Sequence, residues 1–242
     1  MKVKIATWNL AYANPKYKKS FGAAWEYYIN KIDADIFLFQ EVRLPKADEN
    51  HLVWHEIGGK RDWGSGIYSK KYELSEEVVK TDFRGVFTIS NTKIQNTNLT
   101  LISLYGLMES SGPTKGYSIP NLHRILSDLT GLFNGHISGR RNIVLGGDLN
   151  ASVQLDPMQR NDSHRIFFNR LEDFKLNDCF KLLNKQYPMQ TLRHSKSDIL
   201  WQNDYFFVSK SISKKLINCE VIENEEIRKF SDHNIVIITL EI

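Results

Sequence analysis

Cysteine is almost missing from this chain: Cys179 and Cys219 are the only two among 242 residues. A single distant pair makes neither a disulfide framework nor a zinc-ligand cluster, so both thiols read as small buried apolar groups in a reducing compartment. No run approaches the roughly 20 apolar residues that a membrane span needs. The opening Met1-Lys2-Val3-Lys4-Ile5 interrupts its apolar residues with charge, as a secretory h-region would not. A dominant charge is lacking as well, since 32 basic against 28 acidic residues leave a formal +4, which permits a phosphate-bearing partner without demanding one. No repeat, low-complexity tract or Pro/Gly-rich linker marks a boundary. These absences predict one domain over residues 1–242 and a cytoplasmic location, with no membrane association and no obligate protein partner. What is present is a core: 41% of residues are hydrophobic and 12% aromatic, enough for a sizeable buried interior.

Short β-branched runs predict strands at residues 3–7, 36–39, 66–69, 86–90, 99–104, 142–145, 205–208 and 235–240. Helical spacing predicts helices over 21–32, 121–133 and 163–174. Strands that come both singly between helices and in consecutive groups suit an α/β fold with two sheets. Residues 43–64, 106–120, 152–163 and 185–200 read as loops long enough to carry function.

Several apolar runs stop at a polar residue. The run Asn142-Ile143-Val144-Leu145-Gly146-Gly147 delivers Asp148 and Asn150, which share a side if the extended conformation continues. A turn in which both bond their own backbone is the alternative. Ile36-Phe37-Leu38-Phe39-Gln40 ends on Glu41, a carboxylate suited to a hard cation, or simply a solvated strand-end acid. Ile5-Ala6-Thr7-Trp8 ends on Asn9, and Leu99 to Leu104 ends on Tyr105, whose phenol can donate to a phosphoryl oxygen or sit as a rim tyrosine. Asp204 opens the aromatic run 205–208, and Ser231-Asp232-His233 precedes the last strand. A histidine that handles phosphate needs its second ring nitrogen held, a task for which Asp204 is a candidate, leaving Asp232 to face a metal. Singly, each motif also fits a turn or a rim. Together, in this order, they do not read as independent accidents.

The set Thr7-Trp8-Asn9, Leu38-Phe39-Gln40-Glu41, Gly147-Asp148-Leu149-Asn150, Asn203-Asp204-Tyr205 and Ser231-Asp232-His233 resembles the endonuclease/exonuclease/phosphatase family, and it spans nearly the whole chain. The resemblance implies a four-layered α/β sandwich, with two central mixed β-sheets flanked by helices. It implies a Mg2+ site, with Mn2+ able to substitute, in which Glu41 is the principal ligand, Asn9 lies close by and Asp232 contributes directly or through water. It further implies that Asp148 orients or deprotonates the attacking water, that Asn150 holds a phosphate oxygen, and that His233, steadied by Asp204, stabilises phosphoryl charge. Tyr105 falls where relatives place a tyrosine or a histidine.

Family membership leaves the substrate open. Trp201, three residues before Asp204, stands where abasic-site endonucleases also carry a tryptophan, and can stack on a base, wall a flipped sugar or cap the core. Basic residues recur among aromatics in the predicted loops: Lys60 and Arg61 near Trp63, Lys115 near Tyr117, Arg160 and Arg165, and Arg193, His194 and Lys196. This interleaving suits a nucleic-acid backbone or an ordinary solvated surface. The expectation is a nuclease that hydrolyses DNA or RNA phosphodiesters, with Trp201, Arg193, Arg165 and Trp63 as candidate substrate contacts. The alternatives are a phosphatase or phosphodiesterase for a small nucleotide, sugar phosphate or lipid phosphate, and a catalytically silent binding module.

Overall fold

The computed structural model describes residues 1–44, 50–139, 141–183, 185, 187–194 and 197–242. Lys196 lies outside the described residues. The strands are β1 (Lys2–Asn9), β2 (Ile36–Val42), β3 (Leu52–Gly58), β4 (Arg61–Ser69), β5 (Ser75–Glu76), β6 (Phe87–Ile94), β7 (Thr97–Leu104), β8 (Ile143–Asp148), β9 (Leu176–Asp178), β10 (Asp204–Ser209), β11 (Leu216–Ile222) and β12 (Ile235–Glu241). The helices are α1 (Pro15–Lys18), α2 (Phe21–Lys31), α3 (Ile119–Asp128), α4 (Thr130–Ile137), α5 (Leu155–Gln159), α6 (Ser163–Asp173), α7 (Cys179–Leu182), α8 (Lys210–Ser213) and α9 (Glu225–Phe230). None of the described helices is long and apolar enough to cross a membrane.

Two six-stranded sheets form, ordered β11-β12-β1-β2-β4-β3 and β5-β6-β7-β8-β10-β9. Each is mixed for the same reason. One parallel pair, β1 with β2 or β7 with β8, is joined through helices, while the other neighbours run antiparallel. The two parallel pairs point their carboxyl ends to one end of the sandwich, and the antiparallel β10 and β12 begin there. Ligands bind at such strand ends because the backbone stops pairing and side chains are released from the sheet.

Period-two alternation sorts the side chains into three apolar layers. Val3, Ile5, Leu38, Leu101, Val144, Phe206 and Val236 fill the space between the sheets. On the outer faces, Trp8, Phe37 and Ile237 pack on α2 and α9, and Ile102, Leu145 and Phe207 pack on α3, α4 and α6. This is the four-layered α/β sandwich expected from the sequence. The inner-face parity continues to Asn9, Gln40, Ser103, Tyr105, Asp148 and Asp204, so at one end the layer between the sheets turns from apolar to polar. There Gln40 Nε2 donates to Ser103 Oγ at 2.9 Å, and the same hydroxyl donates to the Phe39 carbonyl at 3.0 Å, joining the sheets just beneath the polar end.

Three sequence expectations change. The predicted loop 43–64 contains β3 and the start of β4, which form a hairpin pairing Gly58 with Arg61. Gly58 and Gly59 make the turn at φ +84° and +66°, a backbone that glycine reaches without steric cost. The helix predicted over 121–133 is two, because the chain bends at Leu129 (φ −82°, ψ −1°) to begin α4. The predicted loop 152–163 holds the short α5. Strands β5, β9 and β11 were not predicted: β5 and β9 are two and three residues long, and β11 mixes charge into its pattern.

Candidate active site at the open end of the sandwich

Asn9 stands at the centre of the polar end. Its Nδ2 donates to Glu41 Oε1 at 3.2 Å and to Asp148 Oδ2 at 2.8 Å, while its Oδ1 accepts the Ala11 N–H at 2.8 Å. Two carboxylates can only accept, which fixes the amide orientation. One buried side chain thereby links the last residue of β1, the end of β2 and the end of β8 across the sandwich.

Simple alternation would send Glu41 to the opposite face from Gln40. A register shift between Phe39 and Val42 and a left-handed backbone at Glu41, φ +50°, turn its side chain toward Asn9 instead, the re-aiming that bulges produce near functional sites. Burial raises the Glu41 pKa. The Asn9 hydrogen bond and the His233 charge oppose that rise, and the Asp232 carboxylate adds to it.

Asp148 and Asn150 do not share an extended segment, correcting the alternation expected from the sequence. Pairing ends at Asp148, Asn150 is left-handed at φ +46°, and its N–H donates to Asp148 Oδ1 at 2.8 Å. The side-chain-to-backbone turn that stood as the alternative is therefore present at Asp148, where it also orients the acid, but not at Asn150, whose side chain bonds elsewhere. The turn is tightly enclosed: Gly106 runs so close that a Cβ on it would lie 1.8 Å from the Leu149 carbonyl oxygen. Asn150 Nδ2 donates to the Gly106 carbonyl at 3.2 Å.

Asp204 lies directly across the strands from Asp148. Its Oδ2 is 2.9 Å from His233 Nδ1, while His233 Nε2 lies 3.8 Å from Asp148 Oδ2. The first is a hydrogen bond and the second is too long for one, so Nε2–H remains available to a ligand. Burial by itself lowers the His233 pKa, but the Asp204 and Asp148 charges overcome it and hold the value well above the ordinary one. Burial raises Asp148, opposed by the His233 imidazolium. Tyr105, 8% exposed, brings its hydroxyl within reach of Glu41 and Asn150. Burial and the neighbouring carboxylates raise its pKa well above 10, so it stays a donor.

Several supports had no local signal in the sequence. Thr191 Oγ1 accepts the N–H groups of both Asn203 and Asp204 at 2.9 Å. Ser231 Oγ donates to the Asn9 carbonyl at 2.7 Å and accepts the His233 N–H at 3.0 Å. Only the Ser-Asp-His spelling pointed to Ser231, and nothing pointed to Thr191.

The candidate substrate contacts fall in different places. Trp201 is partly buried, with its indole N–H donating to Ser197 Oγ at 3.2 Å. Leu192 bridges to both Trp201 and His233, so these two backbones lie two strand spacings, about 10 Å, apart. Arg193 donates its N–H to the Asp232 carbonyl at 2.9 Å, and its guanidinium pairs with Glu223, which Arg228 shares. Arg165 is exposed, 3.6 Å from Asp162, and lines a cavity of about 270 Å³ with Arg160. Trp63 is 8% exposed and meets the Tyr105 ring edge-on at 5.4 Å, so its ring buttresses Tyr105.

The sequence model of the Endonuclease/Exonuclease/phosphatase family matches residues 6–233. The chain belongs to this family. A DNA-(apurinic or apyrimidinic site) endonuclease of Plasmodium berghei is 32% identical over 109 residues, covering 37% of this chain and 20% of that protein. The match thus spans about a fifth of the relative's length. The structure of an AP endonuclease from Leishmania major aligns with a TM-score of 0.70 at 16% identity, covering 100% of this chain and 88% of that one. A 3′ phosphatase from Neisseria bound to a product DNA hairpin aligns with a TM-score of 0.66 at 17% identity, covering 99% and 100% of the two chains. At these identities the structural likeness is one of fold.

Among the described residues, two sets of side chains could hold a metal ion. Asp148, Asp204 and His233 offer ligand atoms within 4.8 Å of one another, but a cation there would have to displace the 2.9 Å His233–Asp204 hydrogen bond. Glu41 and Asp232 are both oxygen donors of the kind a hard cation takes; desolvation first, and the Asp232 charge after it, raise the Glu41 pKa, a cost that a bound cation relieves.

Proposed function

We propose that residues 1–242 form a single catalytic domain that hydrolyses phosphodiester bonds of DNA or RNA with a divalent cation, Mg2+ or Mn2+. The observation that carries this reading is the placement of Asp148 between Asn9 and a His233 whose far nitrogen is held by Asp204. That arrangement offers a base beside a cationic donor in one buried cluster.

Glu41, with Asp232 and the orienting amide of Asn9, would hold the cation. When bound, the ion supplies Lewis acidity toward a phosphoryl oxygen. Asp148 accepts the proton of the attacking water; its pKa, raised by burial, brings it closer to neutral pH than a free carboxylate. His233 Nε2–H donates to a non-bridging oxygen, with Asp204 holding the ring and favouring the imidazolium. Asn150 and Tyr105 add neutral donors on the facing side. Trp201 would offer an aromatic face to a base or sugar, and Arg193, whose N–H bonds the Asp232 carbonyl, and the exposed Arg165 are the candidate basic contacts to a nucleic-acid backbone. The family, and the AP endonuclease and DNA-bound relatives, support a nucleic acid over a small phosphate ester.

The test incubates purified protein with Mg2+ or Mn2+ and supercoiled plasmid, abasic duplex, single-stranded DNA, RNA and a panel of phosphomonoesters. Cleavage of a nucleic acid is expected, with Asp148→Ala and His233→Ala each lowering kcat on the order of 10³-fold. Intact substrates, or variants as active as the parent, defeat the proposal. Hydrolysis of the monoesters alone replaces it with a small-molecule phosphatase.

A further inference from the structure

The side chain of Gln154 holds the backbone on both sides of Trp201. Its Nε2 donates to the Leu200 carbonyl at 2.9 Å, and its Oε1 accepts the Gln202 N–H at 3.2 Å. The same Oε1 accepts the Ser152 hydroxyl at 3.0 Å, and Ser152 Oγ in turn accepts the Gln154 N–H at 3.3 Å. The amide is thus fixed to its own turn, four residues after Asn150. On the other side of the Trp201 backbone, the Thr191 and Leu192 N–H groups both donate to the Trp201 carbonyl, at 2.9 and 3.0 Å. Trp201 therefore sits between a short bridge that leads to His233 and a single glutamine that leads to Asn150. Leu200, 45% exposed, and the half-buried Trp201 belong to none of the three apolar clusters, so hydrogen bonds, those to the backbone on either side and the indole's own to Ser197 Oγ, set where the indole points.

We infer that Gln154 is a positioning residue for substrate selection: it fixes Trp201 relative to the Asn150 turn and thereby sets which nucleic-acid geometry reaches the phosphate site. The inference rests on the nuclease reading for its substrate. The geometric half stands independently of it. Carboxamide chemistry is required, because the residue must donate to one backbone group and accept from the next but one. Gln154→Glu keeps the acceptor for Gln202 but loses the donor to Leu200 and sets a carboxylate against that carbonyl. Gln154→Ala loses both contacts.

The experiment compares the parent, Gln154→Ala, Gln154→Glu, Trp201→Ala and the Gln154→Ala/Trp201→Ala double variant, all with Mg2+. Substrates are abasic duplex, intact duplex, single-stranded DNA and RNA. Expected for Gln154→Ala is a rise in KM of about tenfold on the preferred substrate, the scale of one lost hydrogen bond or somewhat more, with kcat within about twofold because no catalytic group moves. Gln154→Glu, which sets a carboxylate against the Leu200 carbonyl, should raise KM at least as much as Gln154→Ala. The double variant should be no worse than Trp201→Ala, since both changes remove one function. Additive losses, or an equal fall in kcat, overturn the inference. In parallel, the Trp201 indole N–H resonance, assigned by its loss in Trp201→Ala, should shift in Gln154→Ala, and the Gln202 amide should exchange faster in Gln154→Ala than in Gln154→Glu. An unmoved indole overturns the inference even if catalysis changes. If the parent cleaves no nucleic acid, the nuclease reading and the substrate-selecting role fail together, while a shifted indole still sustains the positioning contact.

Discussion

Replacing Asn9 with alanine tests whether one amide holds the two halves of the site together. The change removes the hydrogen bonds to Glu41 and Asp148 and leaves the Ala11 N–H, in a residue only 4% exposed, without its acceptor. Hydrogen bonds to charged groups contribute about 1.5–3 kcal/mol each, and an unsatisfied buried donor costs about 1–3 kcal/mol. Two features hold the total near the low end. The Glu41 contact is long at 3.2 Å, and burial has already raised both carboxyl pKa values, so proton uptake relieves part of the lost solvation. A net loss of about 3 kcal/mol follows, equivalent to a fall in Tm of about 6–12 °C for a chain of this size. Thermal unfolding followed by circular dichroism, without divalent cation and then with millimolar Mg2+, measures it. The gap should widen with Mg2+, because Asn9 orients the carboxylate that would hold the ion, so the ion stabilises the parent more than the variant. A fall below about 2 °C, or a gap indifferent to Mg2+, would refute the reasoning.

Asp178 supplies a pH signature away from the candidate site. Burial pushes its carboxyl up to about 6, and its Oδ2 is buried without a partner. The folded state therefore binds the proton more tightly than the unfolded chain. The stability that protonated Asp178 confers is complete below about pH 4 and is lost as pH rises toward 6, by about 3 kcal/mol. Urea unfolding at stepped pH should show the parent losing that much relative to Asp178→Asn between pH 4 and 7; a constant difference would contradict the burial argument. Gly106→Ala should lower Tm and kcat together, at a cost of about 3 kcal/mol or more, because its methyl meets the Leu149 carbonyl beneath the Asp148–Asn150 turn. Retained parental stability would show that the turn yields easily. Chelation should abolish cleavage, and added Mg2+ should raise the Tm of the parent more than that of Glu41→Gln; equal shifts would remove Glu41 from the metal site.

The strand endings were legible in the sequence because a buried strand must be apolar until it leaves the sheet. Asn9, Glu41, Tyr105, Asp148 and Asp204 each mark such a change of character, and their order pointed to the family now matched over residues 6–233. The alternation that separates Val3 and Ile5 from Ala6 and Trp8 is equally local, so the three apolar layers follow from it once two sheets exist. What alternation could not reach was conformation at single residues. The left-handed turns at Glu41 and Asn150 re-aim two side chains that an extended chain would send elsewhere. Strand β3 escaped notice because it is an edge with one buried residue, and its hairpin was signalled only by Gly58-Gly59.

The amino-acid sequence by itself determined which strands are buried, which ends are polar and which chemistry those ends can support, because burial and residue type are tied position by position. Only the tertiary structure decided that the Asn9 amide bonds carboxylates from both sheets, that Thr191 sets the backbone at Asp204, and that Gln154 grips the chain either side of Trp201. Those contacts join residues up to 139 positions apart. A hydrogen bond across such a distance leaves no periodic trace in the chain; it exists only once folding has brought donor and acceptor within 3.5 Å of each other.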